Sequence, residues 1–178
     1  MFTEEQRRAL VAIARAAVAE CTTGRCEQIG IPVNLPEASG AFVTLKRDGR
    51  LRGCIGTLQC RQSLPEEIRR VAVSAAREDP RFSPLHRSEL EGLGVEVSVL
   101  GPLEKIDPHD PVAFEIGRHG LVVEQGFRRG LLLPQVATEW GWDRETFLAQ
   151  TCGKAGLPVD CWKHGAIVYR FAAEVFGD

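Results

Sequence analysis

The chain has 178 residues, of which 44% are hydrophobic and 26% are charged, and its formal net charge is −2. These fractions are typical of a folded globular protein and exclude a disordered one. The small net charge gives no electrostatic reason to expect nucleic acid or an anionic membrane as a partner. No apolar run approaches the roughly 20 residues of a membrane span, and the opening stretch MFTEEQRRAL has no continuous apolar segment. We therefore expect a cytoplasmic protein that does not associate with membranes.

Cysteine and histidine positions give no sign of a metal site. The six cysteines have no CxxC spacing, and the four histidines are scattered, so no metal is expected and any cofactor is left unknown. In a reducing compartment we expect all six cysteines to be free thiols. They are Cys21, Cys26, Cys54, Cys60, Cys152 and Cys161.

The first half of the chain predicts helices on either side of a β-hairpin. Thr3 and Gln6 have the spacing of a capping box, which indicates a helix start. Asp48 and Gly49 indicate a two-residue turn between strands. Ser63 is a predicted N-cap, and Pro80 ends the helix that follows. In chain order we expect a helix over 4–20, an irregular connector over 29–40, strands over 41–46 and 50–58, a helix over 63–78, a helical turn over 88–90 and a strand over 95–100.

The second half continues with short strands and two helices. Pro134 ends one strand and begins a short helix, and Asp143 is the N-cap of another. We expect a hairpin of 114–116 with 120–124 that turns near 118–120, a strand over 131–133, helices over 135–140 and 143–154, and a last strand over 167–175.

This order of elements predicts the α+β class, with a mixed or antiparallel sheet and helices packed against it. Both halves contain a hairpin followed by a helix, which suggests a repeated strand–helix unit. No linker divides the chain, so we expect a single domain over residues 1–178. A larger and a smaller lobe remain open, with a boundary that the sequence does not give.

The segment LRGCIGT, residues 51–57, is the most unusual local feature. Glycine inside a strand marks a bulge, a bend or a close approach by another group. Strict alternation puts Arg52, Cys54 and Gly56 on one face of the strand. A guanidinium beside a thiol favours the thiolate, the nucleophilic form. We therefore take Cys54 as the candidate catalytic residue, with Arg52, Gly53, Gly56 and Thr57 as candidate binding residues.

A packing role for Cys54 is the competing interpretation. Free cysteine is among the most buried residue types and often serves as a small hydrophobe. No base is evident near it in the sequence, and cysteine catalysis normally needs one. Asp79 and Arg81 are expected to form a structural ion pair where the chain leaves its helix. The three tryptophans are expected to be core and lobe contacts.

Six segments together resemble the AMMECR-domain family, named after a chromosomal region of a human syndrome (Alport syndrome, intellectual disability, midface hypoplasia and elliptocytosis). The resemblance extends over roughly residues 4–176, and its central motif is LRGCIGT. It implies a two-lobed α+β fold with repeated strand–helix units around a curved, barrel-like sheet. The matching segments are 40–45, 51–57, 79–84, 97–100, 132–136 and 154–157.

The resemblance also implies a context for function, although it implies no particular reaction. Family members accompany a Memo-like protein, itself similar to iron-dependent dioxygenases, and a radical-SAM enzyme. This chain would be the first component of that system. We expect an accessory module that binds a substrate or a partner, and a homodimer stays open. The alternative is an enzyme with Cys54 as reactive thiol and Arg52 as anion binder. A nucleic-acid-binding role is disfavoured by the net charge.

Overall fold

Four α-helices and seven β-strands make up the chain in the computed structural model, which describes residues 1–178. The pairings of β1 with β2 and β3, of β7 with β4 and β5, and of β5 with β6 are all antiparallel. The predicted α+β fold is confirmed. The elements are α1 Glu4–Thr23, β1 Gly40–Arg47, β2 Arg50–Thr57, α2 Leu64–Arg77, β3 Leu93–Leu100, β4 Glu104–Ile106, β5 His119–Gln125, β6 Arg128–Leu132, α3 Pro134–Glu139, α4 Arg144–Lys154 and β7 Ile167–Gly177, with short 3-10 helices at Arg87–Glu89 and Cys161–Lys163.

The chain divides into two compact units. Unit 1 comprises Met1–Leu100 together with Glu174–Asp178, and unit 2 comprises Gly101–Ala173. The first part of β7 belongs to unit 2 and its last residues belong to unit 1. The single domain over 1–178 stays a prediction. No helix in either unit has both the length and the apolar composition needed to cross a bilayer.

Unit 1 is a sheet with two helices packed on one face. Its strand order is β2-β1-β3, so β2 is an edge strand, and the end of β7 follows β3. Side chains of β1 alternate: Ala41, Val43 and Leu45 are fully buried beneath the helices, whereas Phe42 and Thr44 lie on the other face. The helices α1 and α2 and the strand β3 supply most of the rest of this core, and the two helices pack against each other. The motif 51–57 therefore lies at the border of the unit-1 sheet.

The local signals in unit 1 mostly correspond to the observed elements. Thr3 and Gln6 form the expected capping box at the start of α1. The helix runs three residues beyond the predicted end and stops at Gly24, which has a φ of 71°. The turn between β1 and β2 has φ of 50° at Asp48 and 73° at Gly49, as a two-residue hairpin turn of this type requires.

Unit 2 has a second core under α4. In its sheet β5 lies between β7 and β6, and β4 pairs with β7. Phe147 and Leu148 of α4 are fully buried against Leu121 and Val123 of β5. Gly130 of β6 has no room for a Cβ, because that atom would lie 2.3 Å from the main-chain nitrogen of Ala155 at the end of α4. This close approach fixes the end of α4 against the strand.

The predicted hairpin of 114–116 with 120–124 is wrong. Residues 114–116 form no strand, and β5 pairs instead with β6 across the turn at Gly126, where φ is 62°. Phe114 points into the core and meets the ring of Phe147 at 6.1 Å. The sequence pattern failed here because one buried aromatic residue between turns resembles a short strand. The strand β4 was missed because it has only three residues, two of them charged.

The expectation of six free thiols is wrong for one pair. Cys152, in the last turn of α4, forms a disulfide with Cys161, and their Cα atoms lie 6.2 Å apart. After α4 the chain reverses immediately, as shown by the hydrogen bond from the Leu157 N–H to the Cys152 carbonyl at 3.0 Å. This reversal brings the second cysteine back to the helix end. The cysteines at 21, 26, 54 and 60 are free.

We predict that the disulfide stabilises the protein by closing a loop of nine residues' separation. Loop-closure entropy for about ten residues corresponds to about 2–3 kcal/mol. A reductant should therefore lower the unfolding free energy of the wild-type protein and leave a C152A/C161A variant unchanged. Denaturant unfolding with and without reductant measures this, with C26A as the control. Six titratable thiols in the unfolded, unreduced protein, instead of four, would contradict the pairing.

Candidate functional site

The first glycine of the motif is required by a helix. A Cβ at Gly53 would lie 2.2 Å from the carbonyl oxygen of Ala75 in α2. No real Cβ makes such a contact with backbone, so α2 rests directly on β2 at this residue. The glycine therefore sets the distance between the edge strand and the helix that covers its inner face.

The second glycine of the motif lies under an aromatic ring on the opposite face. A Cβ at Gly56 would lie 2.1 Å from the ring of Phe42, its cross-strand partner. The sequence made Gly56 a candidate binding residue, and the ring of Phe42 fills the space beside it. Gly56 therefore serves close packing of a side chain on the outer face of the sheet.

A β-bulge interrupts the alternation of β2 at Arg52. Leu45 pairs with Gly53 whereas Lys46 pairs with Leu51, so Arg52 is an extra residue in the edge strand. Strict alternation does not hold across a bulge, and the argument that put Arg52 beside Cys54 fails for this reason. The guanidinium of Arg52 instead forms hydrogen bonds with the side chain of Glu89.

Glu89 holds the Arg52 guanidinium with two hydrogen bonds. Nε of Arg52 donates to Oε1 at 2.7 Å and Nη2 donates to Oε2 at 3.0 Å. The main-chain N–H of His86 adds a third bond at 2.8 Å. These bonds, with Arg52 as the main cause, lower the pKa of Glu89 to about 2. The arginine is therefore fixed by a bidentate ion pair near the edge strand.

The main chain of Cys54 is held by the segment that follows α2. Its N–H donates to Oδ2 of Asp79 at 2.9 Å, and its carbonyl accepts from Nη2 of Arg81 at 3.4 Å. Both main-chain groups of Cys54 therefore point away from β1. Thr44 of β1 is the cross-strand partner of Cys54, and no main-chain hydrogen bond joins them. Pairs of this kind have close side chains, and the hydroxyl of Thr44 accordingly donates to the Cys54 sulfur at 3.2 Å.

Asp79 and Arg81 form the ion pair that the sequence predicted at this place. The carboxylate is 4% exposed and accepts from the Arg81 main-chain N–H, Nε and Nη2, as well as from Cys54. The hydrogen bonds from the Arg81 side chain lower the pKa of Asp79 well below its usual range, against the opposing effect of burial. What sequence reasoning missed is that this pair binds the edge strand. The available signal was that the segments 51–57 and 79–84 both occur, in the same order, in the family that the sequence resembles.

The ring of Phe82 lies close to two guanidinium groups of this region. Its ring centroid is 5.8 Å from Cζ of Arg52 and 5.5 Å from Cζ of Arg81. Cations at such distances from an aromatic face are attracted by its quadrupole. The ring therefore links the two ion pairs, one at Glu89 and one at Asp79, into a single cluster along the edge of β2.

The remaining motif residues determine what is available for binding. Thr57 accepts from the Gln59 N–H and donates to the Gln59 carbonyl, so its hydroxyl closes the turn after the strand. The main-chain N–H and carbonyl of Cys54 point away from β1, and those of Gly56, two residues later, do the same. Its N–H and carbonyl lie on the open edge, and no side chain or loop residue bonds to them. We call Thr44, Cys54, Gly56, Asp79 and Arg81 the Cys54 site.

Two chemical properties of the Cys54 site follow from this arrangement. The thiol is half-buried, and its polar partner is a hydroxyl and not an imidazole or a carboxylate. No cluster of three or more His, Cys, Asp and Glu side chains in residues 1–178 has a geometry that would hold a metal ion. The site is an edge-strand segment held by hydrogen bonds, with a half-buried cysteine and a peptide group at Gly56 that points away from β1.

The chain is an antiparallel α+β protein with a cysteine between two glycines of its edge strand. Comparison with known proteins identifies the family. The AMMECR1 family model matches residues 11–176, so the chain belongs to the AMMECR1 family.

Relatives of this chain include archaeal proteins of similar length. A protein of Methanothermobacter thermautotrophicus is 46% identical, with 98% of this chain and 95% of the relative aligned. A protein of Thermococcus gammatolerans is 50% identical over 94% of this chain and 87% of the relative. The crystal structure of PH0010 from Pyrococcus horikoshii superposes with a TM-score of 0.82 at 44% identity, over 99% of this chain and 93% of PH0010. The solved relative has the same fold.

We predict that Gly53→Ala destabilises the protein strongly. The new methyl group must push α2 away from β2, and overpacking of this kind costs about 1–3 kcal/mol. Gly94→Ala is the matched control, because a Cβ there would meet Lys46 only at an ordinary 3.6 Å. Denaturant unfolding of the two variants measures the difference. Equal, small losses in both would show that α2 does not rest on Gly53.

We predict that Glu89→Gln lowers stability in a pH-dependent way. The pKa of Glu89 is about 2 in the folded protein, below the value of about 4.3 expected when unfolded. The ion pair therefore contributes fully above about pH 4.3 and is lost as the pH falls towards 2. At pH 7 the variant should lose about 1–3 kcal/mol.

The control for this prediction is Glu91→Gln, an exposed glutamate two residues along the chain. Unfolding free energies of both variants and of the wild-type protein are compared between pH 7 and pH 2. The deficit of the Glu89 variant should shrink over the acid range. A deficit independent of pH would mean that charge at Glu89 does not stabilise the fold.

Proposed function

We propose that this chain is an accessory module that binds a partner protein at the Cys54 site and acts beside a Memo-like protein and a radical-SAM protein. Through this contact the module presents the partner protein with the partner's own substrate. Membership of the family and the shape of the edge strand support the proposal.

The observation that carries the proposal is the open peptide group at Gly56. β2 is an edge strand, and an edge strand offers main-chain donors and acceptors to an extended segment of another protein. Here the hydrogen bonds to Asp79 and Arg81 occupy the main-chain groups of Cys54, whereas the main-chain groups of Gly56, two residues later, are left open. An incoming strand would hydrogen bond at Gly56, next to the half-buried thiol.

The charges around the thiol also favour binding over catalysis. Arg52 is paired with Glu89, and Arg81 is paired with Asp79. Groups held in this way position the strand and have their strongest donors already occupied. A surface that is fixed before a partner arrives loses little conformational entropy on association.

The second candidate is an enzyme that uses Cys54 as a reactive thiol, with Arg52 binding an anionic group. The observation in its favour is the hydroxyl of Thr44, which donates to the Cys54 sulfur at 3.2 Å. Gly53, Gly56 and Thr57 would then be binding residues of the same site. Catalysis of this kind needs a base or an equivalent activation from the bound substrate.

Thiol labelling of the native protein tests both candidates. Cys54 and Cys26 are labelled with a small maleimide and quantified separately by mass spectrometry, with and without the Memo-like and radical-SAM proteins of the same genome. Cys26 is exposed and serves as the internal control. Under the binding proposal, a partner slows labelling of Cys54 about tenfold or more and leaves the rate at Cys26 unchanged. Equal rates with every partner would overturn it.

The pH profile of the same reaction tests the enzyme candidate. A labelling midpoint at Cys54 well below the free-thiol value of about 8.5, which rises in Arg52→Ala, would support a reactive thiol. The variant Cys54→Ser identifies the signal. A profile like that of Cys26, unaffected by Arg52→Ala, would exclude the enzyme candidate and leave the binding proposal to the protection experiment.

A further inference from the structure

Two tryptophans in unit 2 form a stacked pair in which one ring is exposed. The rings of Trp140 and Trp142 lie 6.2 Å apart, with 20° between their planes. Gly141 separates them, and its φ of 63° turns the chain so that the rings meet. Trp142 packs against the core of unit 2, whereas Trp140 is 71% exposed. The expectation that all three tryptophans are core contacts is therefore wrong for Trp140, and only Trp162 is buried.

Acidic side chains follow and precede the pair closely in sequence. Glu139, Asp143 and Glu145 are all exposed, and none of them forms an ion pair. Asp143 uses one oxygen to cap α4 by accepting from the Thr146 N–H. We call Glu139, Trp140, Trp142, Asp143 and Glu145 the tryptophan platform.

Basic groups in and close to this segment already have hydrogen-bond or ion-pair partners. Arg144 donates to the carbonyls of Phe114 and Asp110, and its guanidinium lies over the Phe114 ring. Arg118, in the segment that contacts Thr138 through Gly117, pairs with its own neighbour Glu115. Within residues 139–145 three carboxylates outnumber the one cation, Arg144. The platform therefore has aromatic area and an excess of negative charge.

We propose that the tryptophan platform binds an arginine-bearing extended segment of a partner protein. A guanidinium stacks on the exposed face of Trp140, and the carboxylates of Glu139 and Glu145 neutralise it. The chain already uses the same chemistry internally, because Lys163 lies 4.7 Å from the centroid of the Trp162 ring. Exposed tryptophan at this fraction is uncommon, and tryptophan and arginine are the residues that most often dominate binding energy at protein interfaces.

The proposal is independent of the Cys54 site, because no residue is shared between the two. The occupant is identified by its charge and its ability to stack. A second copy of this chain and an uncharged apolar segment are the occupants that the experiment must separate from it.

The test is a tryptophan-fluorescence titration with a synthetic peptide in which three arginines alternate with glycine and serine. The control peptide has citrulline in place of arginine, which keeps the shape and removes the charge. Protein variants are Trp140→Ala, the double variant E139Q/E145Q, and Phe127→Ala. Phe127 is the matched control, because it is a fully exposed aromatic residue at 108% with Arg128 and Arg129, and no acid, beside it in sequence.

We expect saturable quenching by the arginine peptide that weakens with added salt and about three- to fivefold loss of affinity in Trp140→Ala. E139Q/E145Q should weaken binding by a similar factor, and Phe127→Ala should leave it unchanged. Equal quenching by the citrulline peptide would overturn the proposal in favour of an apolar partner. The proposal also fails if neither peptide binds, or if the platform variants abolish concentration-dependent self-association measured by ultracentrifugation without changing peptide binding.

Discussion

The carboxylate of Asp79 is the group on which the site depends. It is almost fully buried, and it accepts hydrogen bonds from both the side chain and the main chain of Arg81 while it holds the N–H of Cys54. A buried carboxylate is costly unless its oxygens are bonded, and here every bond also fixes the path of the chain. The segment after α2 and the edge strand are thereby joined at one point. The positions of Phe82 and of the thiol follow from it.

Sequence reasoning reached the elements whose signals are local. The capping box at Thr3, the turn at Asp48 and the helix stop near Pro80 each depend on a few neighbouring residues, and each lies where it was predicted. The hairpin at 114–116 failed because a strand is defined by its partner and not by its own composition. The expectation of free thiols was wrong for Cys152 and Cys161 because it rested on a reducing compartment and not on their positions. The reversal of the chain after α4 brings the two cysteines together.

The motif shows the same limit at the level of single residues. For the two glycines a close approach by another group was one of three open alternatives, and the sequence did not identify the groups as Ala75 and Phe42. Alternation placed Arg52 beside Cys54 because it assumed a regular strand, and one bulge was enough to redirect the side chain to Glu89. The ion pair of Asp79 was expected, whereas its bond to a strand 25 residues earlier was not. Long-range contacts of this type are set by packing.

The clamp on β2 has a consequence for how the protein behaves at high concentration. A bare edge strand is a template on which further copies of a chain can add, and natural proteins protect such edges with loops, bulges and charges. The border of this sheet has all three, in the loop that contains Asp79, the bulge at Arg52 and the guanidinium groups on either side of Phe82. The stretch left open around Gly56 is short, so it offers room for one short added segment and little template for further copies. The same few residues that hold the thiol in place therefore also protect most of this edge from pairing with other copies of the chain.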